Sequence, residues 1–172
     1  MQNRRLGWFA VLALSACSQV PTNNTSDPTA NFSQVSSGIF RGARPDQAAV
    51  TQLSQMGVHS ILNLEDDTQA VADEKTWTDA LKMTQYSFPM TGTSSPDNAE
   101  VSQALSVLAD SKQYPIFVHC MKGQDRTGVV IALHRVFNEG WSANDASQEM
   151  LDHGFNTTLV ALHDYFNQKV GF

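Results

Sequence analysis

The chain has 172 residues, a formal charge of −6, 41% hydrophobic and 16% charged residues, and two cysteines. These figures describe one ordinary globular domain, with no room for two and no disulfide framework to hold it. The excess of 17 Asp and Glu over 11 Lys and Arg excludes the basic face of a nucleic-acid binder, so any anion must be met by a local group of residues.

Met1 to Ala16 has the layout of an export signal, with Arg4 and Arg5 followed by the apolar run Leu6 to Leu14, which is too short to span a bilayer. It ends in Leu14-Ser15-Ala16-Cys17, which resembles the bacterial lipobox, whose cysteine is acylated and becomes the first residue of the mature protein. On that resemblance residues 1–16 are expected to be removed and Cys17 to carry lipid. Ser18 after it implies a place in the bacterial cell envelope, at the outer membrane and facing the periplasm. The mature chain would keep 9 basic against 17 acidic side chains, a charge of −8. Residues 17–34, polar and rich in Asn, Thr, Ser and Pro, are expected to form the lipidated end and a flexible tether. The domain proper is expected over 35–172.

In chain order, Val35 to Arg41 reads as a strand, and Pro45-Asp46 opens a helix whose Val50, Leu53 and Met56 share a face up to Gly57. Val58 to Leu64 is a buried strand, a polar helix follows Glu65-Asp66-Asp67 as far as about Met83, and Gln85 to Met90 alternates as another strand. Ser95-Pro96-Asp97 fits an N-cap with proline at the first helical position, before Val101, Ala104, Leu105 and Leu108. Tyr114-Pro115 stops that helix. Ile116 to His119 is a short apolar strand and Thr127 to Asn138 a helix, followed by helices near Asn144 to His153 and Thr157 to Gln168. Strands interleaved with helices predict an α/β fold with a central, largely parallel sheet flanked by helices and a helical C-terminal end.

The chemistry gathers at one strand-to-helix junction, His119-Cys120-Met121-Lys122-Gly123-Gln124-Asp125-Arg126-Thr127-Gly128. A loop at the carboxyl end of a strand and the positive end of a helix favours an anion. Five residues between Cys120 and Arg126 would wrap the loop so that the sulfur sits beneath the anion and the guanidinium closes its rim. Arg offers a planar fork to two phosphate oxygens at once. The loop amides and the helix end are expected to bring the thiol below its free value of about 8.5, making Cys120 a thiolate nucleophile. Thr127 can donate a hydrogen bond to the departing sulfur.

His-Cys-x5-Arg-Thr-Gly resembles the signature of cysteine-dependent protein tyrosine and dual-specificity phosphatases. Phe40 to Pro45, Ile61 to Leu64 and the run from Gly140-Trp141-Ser142 to Glu149-Met150 resemble the small bacterial and fungal-type dual-specificity branch. The resemblance extends over roughly Ser36 to Phe166. It implies a phosphatase-like phosphate loop in which residues Met121 to Arg126 bind the phosphate, His119 fixes the loop and tunes the thiol, and no metal or cofactor is needed. Two general acids are open: Asp97, on the upstream loop where such phosphatases keep a mobile acid, and Asp125, whose place is fixed by the loop and which is favoured. Helix capping competes for Asp97, and orienting Arg126 or capping the next helix competes for Asp125.

Lys122 faces either substrate or solvent, and Arg41 and Arg44 either approach the site's rim or pair with surface carboxylates. Glu65 stands where many relatives carry Arg, which weakens a polyphosphoinositide substrate. Trp77, Trp141, Phe155 and Phe166 are expected in the packing, and His134, His153 and His163 show no metal-ligand spacing. The expected activity is a tyrosine or dual-specificity phosphatase acting on a phosphorylated protein or small phosphomonoester. An inositol-phosphate or phosphoinositide phosphatase on the same loop, and an inactive phosphate-binding module, are the alternatives.

Overall fold

The computed structural model describes residues 27–172; the expected export signal, Cys17 and the first part of the expected tether lie outside them. Strands β1 (Ser33–Ser36), β2 (Ile39–Ala43), β3 (Ser60–Asn63), β4 (Thr84–Ser87) and β5 (Ile116–Cys120) form one sheet in the order β1-β2-β5-β3-β4. Only β1 runs antiparallel, as a hairpin with β2, and the other pairings are parallel. The helices are α1 (Gln47–Gln55), α2 (Thr68–Ala80), α3 (Asn98–Ala109), α4 (Asp125–Glu139), α5 (Ala143–Asp152) and α6 (Val160–Val170). The expected α/β fold with a helical C-terminal end is the one present.

Side chains alternate across β5, and this sorts the core into two layers. Ile116, Val118 and Cys120 join Ile39, Leu62 and residues of α3, α4, α5 and α6 in the larger apolar cluster. Phe117 points the other way, into a smaller cluster with Val50 and Leu53 of α1, and with Ile61. All five β5 residues are buried, as befits a central strand covered on both faces. Ala43, Asn63 and Cys120 end the three central strands side by side, with Ala43 opposite Cys120 and Asn63 opposite His119. Because β2 and β3 lie on opposite sides of β5, the loop after β5 opens where the chain's winding reverses, the usual place for a ligand in such sheets.

Three expectations are corrected. The single strand from Val35 is a hairpin turning at Gly38, whose φ of +83° suits glycine. Order also begins earlier than 35. The Ala43 N–H donates to the Ala30 carbonyl, and Phe32 stacks on Phe40 and Phe117 at 5.7 and 6.1 Å, so the last part of the expected tether belongs to the domain. Finally, α3 is capped by Asp97, whose Oδ1 accepts from Ala99 N at 2.7 Å and Glu100 N at 3.2 Å, and Pro96 precedes the cap instead of following it. Two N–H groups on one carboxylate satisfy more of the helix end than the Ser95 hydroxyl could.

Candidate active site

Residues 121–124 connect β5 to α4, and α4 begins at Asp125, two residues before the expected Thr127. Side chains cap α1, α2, α3 and α5 through Asp46, Asp67, Asp97 and Ser142, whereas α4 carries no side-chain cap. Its first N–H groups therefore lack the intramolecular acceptor those helices have, and the macrodipole adds positive potential at the same point. A cleft of about 230 Å³ opens there, lined by Cys120, Met121, Lys122, Asp125 and Arg126, with Gly92 from the β4–α3 loop and Asn156 and Leu159 from the α5–α6 loop. Cys120 is a free thiol, 2% exposed. A larger, open groove of about 660 Å³ runs along α5 but includes none of the loop residues, and its Asp145, Glu149 and Asp152 give it the wrong sign for a phosphate.

Arg126 is held firmly. Its Nη1 donates to the Met90 carbonyl at 3.0 Å and to Asp66 Oδ1 at 2.7 Å, and approaches the Leu64 carbonyl at 3.5 Å. Its Nη2 faces Glu65 Oε2 at 3.7 Å, beyond hydrogen-bond range. Nε and Nη2 are the edge left for an anion. Glu65 is buried and bound to Arg44, whose Nη2 lies 2.9 Å from it; Arg44 also pairs with Asp67 at 3.4 Å. The hydrogen bond to Glu65 raises the Arg44 guanidinium above its ordinary value. Thus Arg44 does pair with carboxylates.

Arg41 follows neither expectation for it. It is 1% exposed and lies beneath the loop, where its Nη2 donates to the Gly123 carbonyl at 2.8 Å. Burial pushes it down to about 10, against the pull of Glu149 and Cys120. Asn31 Nδ2 donates to the same carbonyl at 3.0 Å. Gly123 has φ +68°, and a Cβ there would overlap the Gly42 carbonyl, so the loop rests on the β2 backbone itself.

The two acids separate. Asp125 lines the cleft, and its Oδ1 accepts from Asn156 N at 2.8 Å, tying α4 to the α5–α6 loop. Asp97 is exposed, spends its carboxylate on the α3 cap and does not line the cleft. The Thr127 hydroxyl is buried with no hydrogen-bond partner. Lys122 is exposed at the cleft's edge, and Gln124 is half-buried. His119 is fully buried and stacks on Phe117 at 5.6 Å.

Phe155 and Phe166 are core residues and Trp77 packs against the smaller cluster, while Trp141 lies on Arg135 at 4.1 Å. His134 is buried, which with Arg135 holds it below the ordinary histidine value against the pull of Glu139. Among the described residues no group of His, Cys, Asp and Glu is arranged to hold a metal. Sequence reading missed Glu74, Asn63 and Asp66. A polar Asn inside the apolar run Ile61 to Leu64 was the available signal, since a buried amide requires partners.

The sequence model of the tyrosine phosphatase family matches residues 28–166. The chain belongs to that family. It is 30% identical over 130 residues to the dual specificity protein phosphatase TpbA of Pseudomonas aeruginosa, covering 75% of this chain and 57% of the relative. To the inositol diphosphatase DSP3 of Arabidopsis thaliana it is 29% identical over 126 residues, covering 71% and 61%. The chain thus spans little more than half the length of these curated relatives. The crystal structure of P. aeruginosa TpbA superposes with a TM-score of 0.69 at 25% identity, over 84% of this chain and 88% of that one. The catalytic core of the PP-IP phosphatase SIW14 from S. cerevisiae shares the fold, with a TM-score of 0.68 at 21% identity over 83% and 90%.

Proposed function

We propose that the protein hydrolyses phosphomonoesters through a phosphocysteine and prefers phosphotyrosine in proteins. The observation that carries this reading is the cleft in which Cys120, Arg126 and Asp125 meet at the uncapped end of α4. The Cys120 thiolate attacks phosphorus in line: the S–P bond forms as the bond from phosphorus to the leaving oxygen breaks, and Asp125 gives that oxygen its proton. Water then attacks phosphorus and loses its proton to Asp125, the S–P bond breaks, and inorganic phosphate leaves with the thiolate restored. Arg126, through Nε and Nη2, and the loop amides of Met121 to Arg126 carry the charge on the transferring group. Thr127 donates to the departing sulfur.

The preference rests on what flanks the loop. Met121 and Leu159 offer apolar sides to an aromatic ring. Glu65, Asp66 and Asp67 crowd the outer side of Arg126 and Arg44, where a second phosphate would seek a free cation. Relatives named as inositol diphosphatases make inositol phosphates the competing class.

The deciding experiment compares kcat/KM on phosphotyrosine and phosphothreonine peptides, inositol phosphates, diphosphoinositol phosphates and phosphoinositides. Phosphotyrosine is expected to lead, and Cys120→Ser to lose at least about 10⁴-fold. Asp125→Asn is expected to lower kcat about 10²-fold and to remove the fall in rate at high pH that marks loss of the acid's proton, with Asp97→Asn leaving both intact. Higher kcat/KM on an inositol compound would move the site to that class. Phosphate binding without release from any substrate would make it a binding module.

A further inference from the structure

Glu74 has no part in the phosphoryl transfer above, yet it lies at the centre of a buried polar group beneath the loop. It sits on α2, on the face of the sheet opposite α4, and is 1% exposed. Its Oε1 accepts from Asn63 Nδ2 of β3 at 2.9 Å and from Gln85 Nε2 of β4 at 2.7 Å. Its Oε2 lies 2.7 Å from His119 Nε2. At that distance the two atoms are an ion pair, although the ring N–H is not aligned for a hydrogen bond and both atoms lack another partner. His119 Nδ1 is buried with no partner.

Two connections lead from this group to the reacting residues. His119 immediately precedes Cys120, and its carbonyl accepts from Leu64 N at 3.0 Å. Asn63 Oδ1 accepts from Glu65 N at 2.7 Å, fixing the turn that sets Glu65 3.7 Å from Arg126 Nη2. One carboxylate therefore ties down both the start of the loop and the carboxylate that faces its arginine. As a stability device this is poor: burying a carboxylate carries a large desolvation cost, and an apolar residue of equal volume would do as well. Burial alone would raise the Glu74 carboxyl, but the charge of His119 and hydrogen bonds from His119, Gln85 and Asn63 outweigh it and keep the group ionised. His119 is the titratable partner in contact with it; Asn63 and Gln85 are neutral.

We propose that Glu74 is a positioning residue of the phosphatase site: it keeps a proton on His119 Nε2 and so fixes the ring next to the nucleophile, while holding the Glu65 turn through Asn63. The inference rests on the phosphatase reading for its kinetic consequence and on geometry alone for the placement of the proton.

Glu74→Gln tests it with little change of volume. The amide can turn its NH2 toward the ring, which shifts the ring proton to Nδ1, the wrong tautomer. A drop in kcat of about 10–100-fold with KM within about twofold is expected. So is a change in the His119 ring-nitrogen ¹⁵N spectrum from Nε2–H in wild type to Nδ1–H in the variant. In a His119→Asn background the same substitution should have no further effect on kcat. A folded Glu74→Gln protein with wild-type kcat and ring spectrum would overturn the proposal. So would a wild-type ring protonated at Nδ1 alone, which needs no variant to detect. If wild type releases phosphate from no substrate, the phosphatase reading fails while the ring spectra still decide where the proton lies.

Discussion

On one face of β5, Ile116, Val118 and Cys120 enter an apolar layer built with α3 to α6; on the other, Phe117 joins a smaller apolar cluster and His119 meets Glu74, which also accepts from Asn63 and Gln85. The strand is the same and its neighbours are parallel on both sides, so the difference comes from the helices that cover it. The α4 side contributes apolar area, which is non-directional and tolerant of small shifts. The α2 side contributes hydrogen bonds with fixed lengths and angles, which specify one arrangement. On the proposed mechanism, Cys120 attacks in line from a position between the two.

That contrast can be broken from either side. Arg126→Lys is the strongest intervention on the α4 side, because an ammonium can replace neither the planar fork nor the contacts to Met90 and Asp66. A loss of about 10²–10³-fold in kcat/KM, on the order of 3–4 kcal/mol, is expected from steady-state kinetics, and a loss under tenfold would remove the bidentate role. Leu133→Ala, at a fully buried position of α4, should cost about 3 kcal/mol in urea denaturation while kcat stays near wild type. A large kinetic effect without loss of stability would show that the apolar side positions as well as supports.

A smaller effect sharpens the other side. The Glu74 carboxyl is held below its ordinary value: burial opposes this, but His119 and its hydrogen bonds prevail. As pH falls through the unfolded value of about 4.3, the unfolded chain takes up the proton first, so stability present above that pH is lost progressively below it. Glu139, held down mainly by hydrogen bonding to Arg135 against its partial burial, adds a slope of the same sign. Glu74→Gln removes only the first contribution, and its stability difference from wild type should shrink between pH 5 and 3.5. A difference independent of pH would contradict the buried ionised state.

The β5–loop–α4 unit was legible because its signals are local: the apolar run Ile116 to Val118, a glycine-bearing loop and a helix with apolar spacing from Val129 onward. The alternation of strands and helices likewise sufficed for the parallel sheet. Arg41 and Glu74 were not legible, because each looks like a surface charge until its partner, Gly123 or His119, is brought to it from far along the chain. Strand β1 was only half legible: Ser33-Gln34 reads as tether by its polar composition, and Val35-Ser36 merged with the strand that follows. Asp97 and Asp125 are both at helix starts, and only the cleft lining separates a cap from a candidate acid.

The contact of Gly123 with Gly42 bears on how small molecules could engage this protein. With no side chain between loop and strand at Gly123, the loop has main chain directly behind it and no room to move back. A compound series that varies its anionic head is therefore working against an unyielding mould. The variation a chemist can use lies at the mouth, where Met121 and Leu159 line the way in.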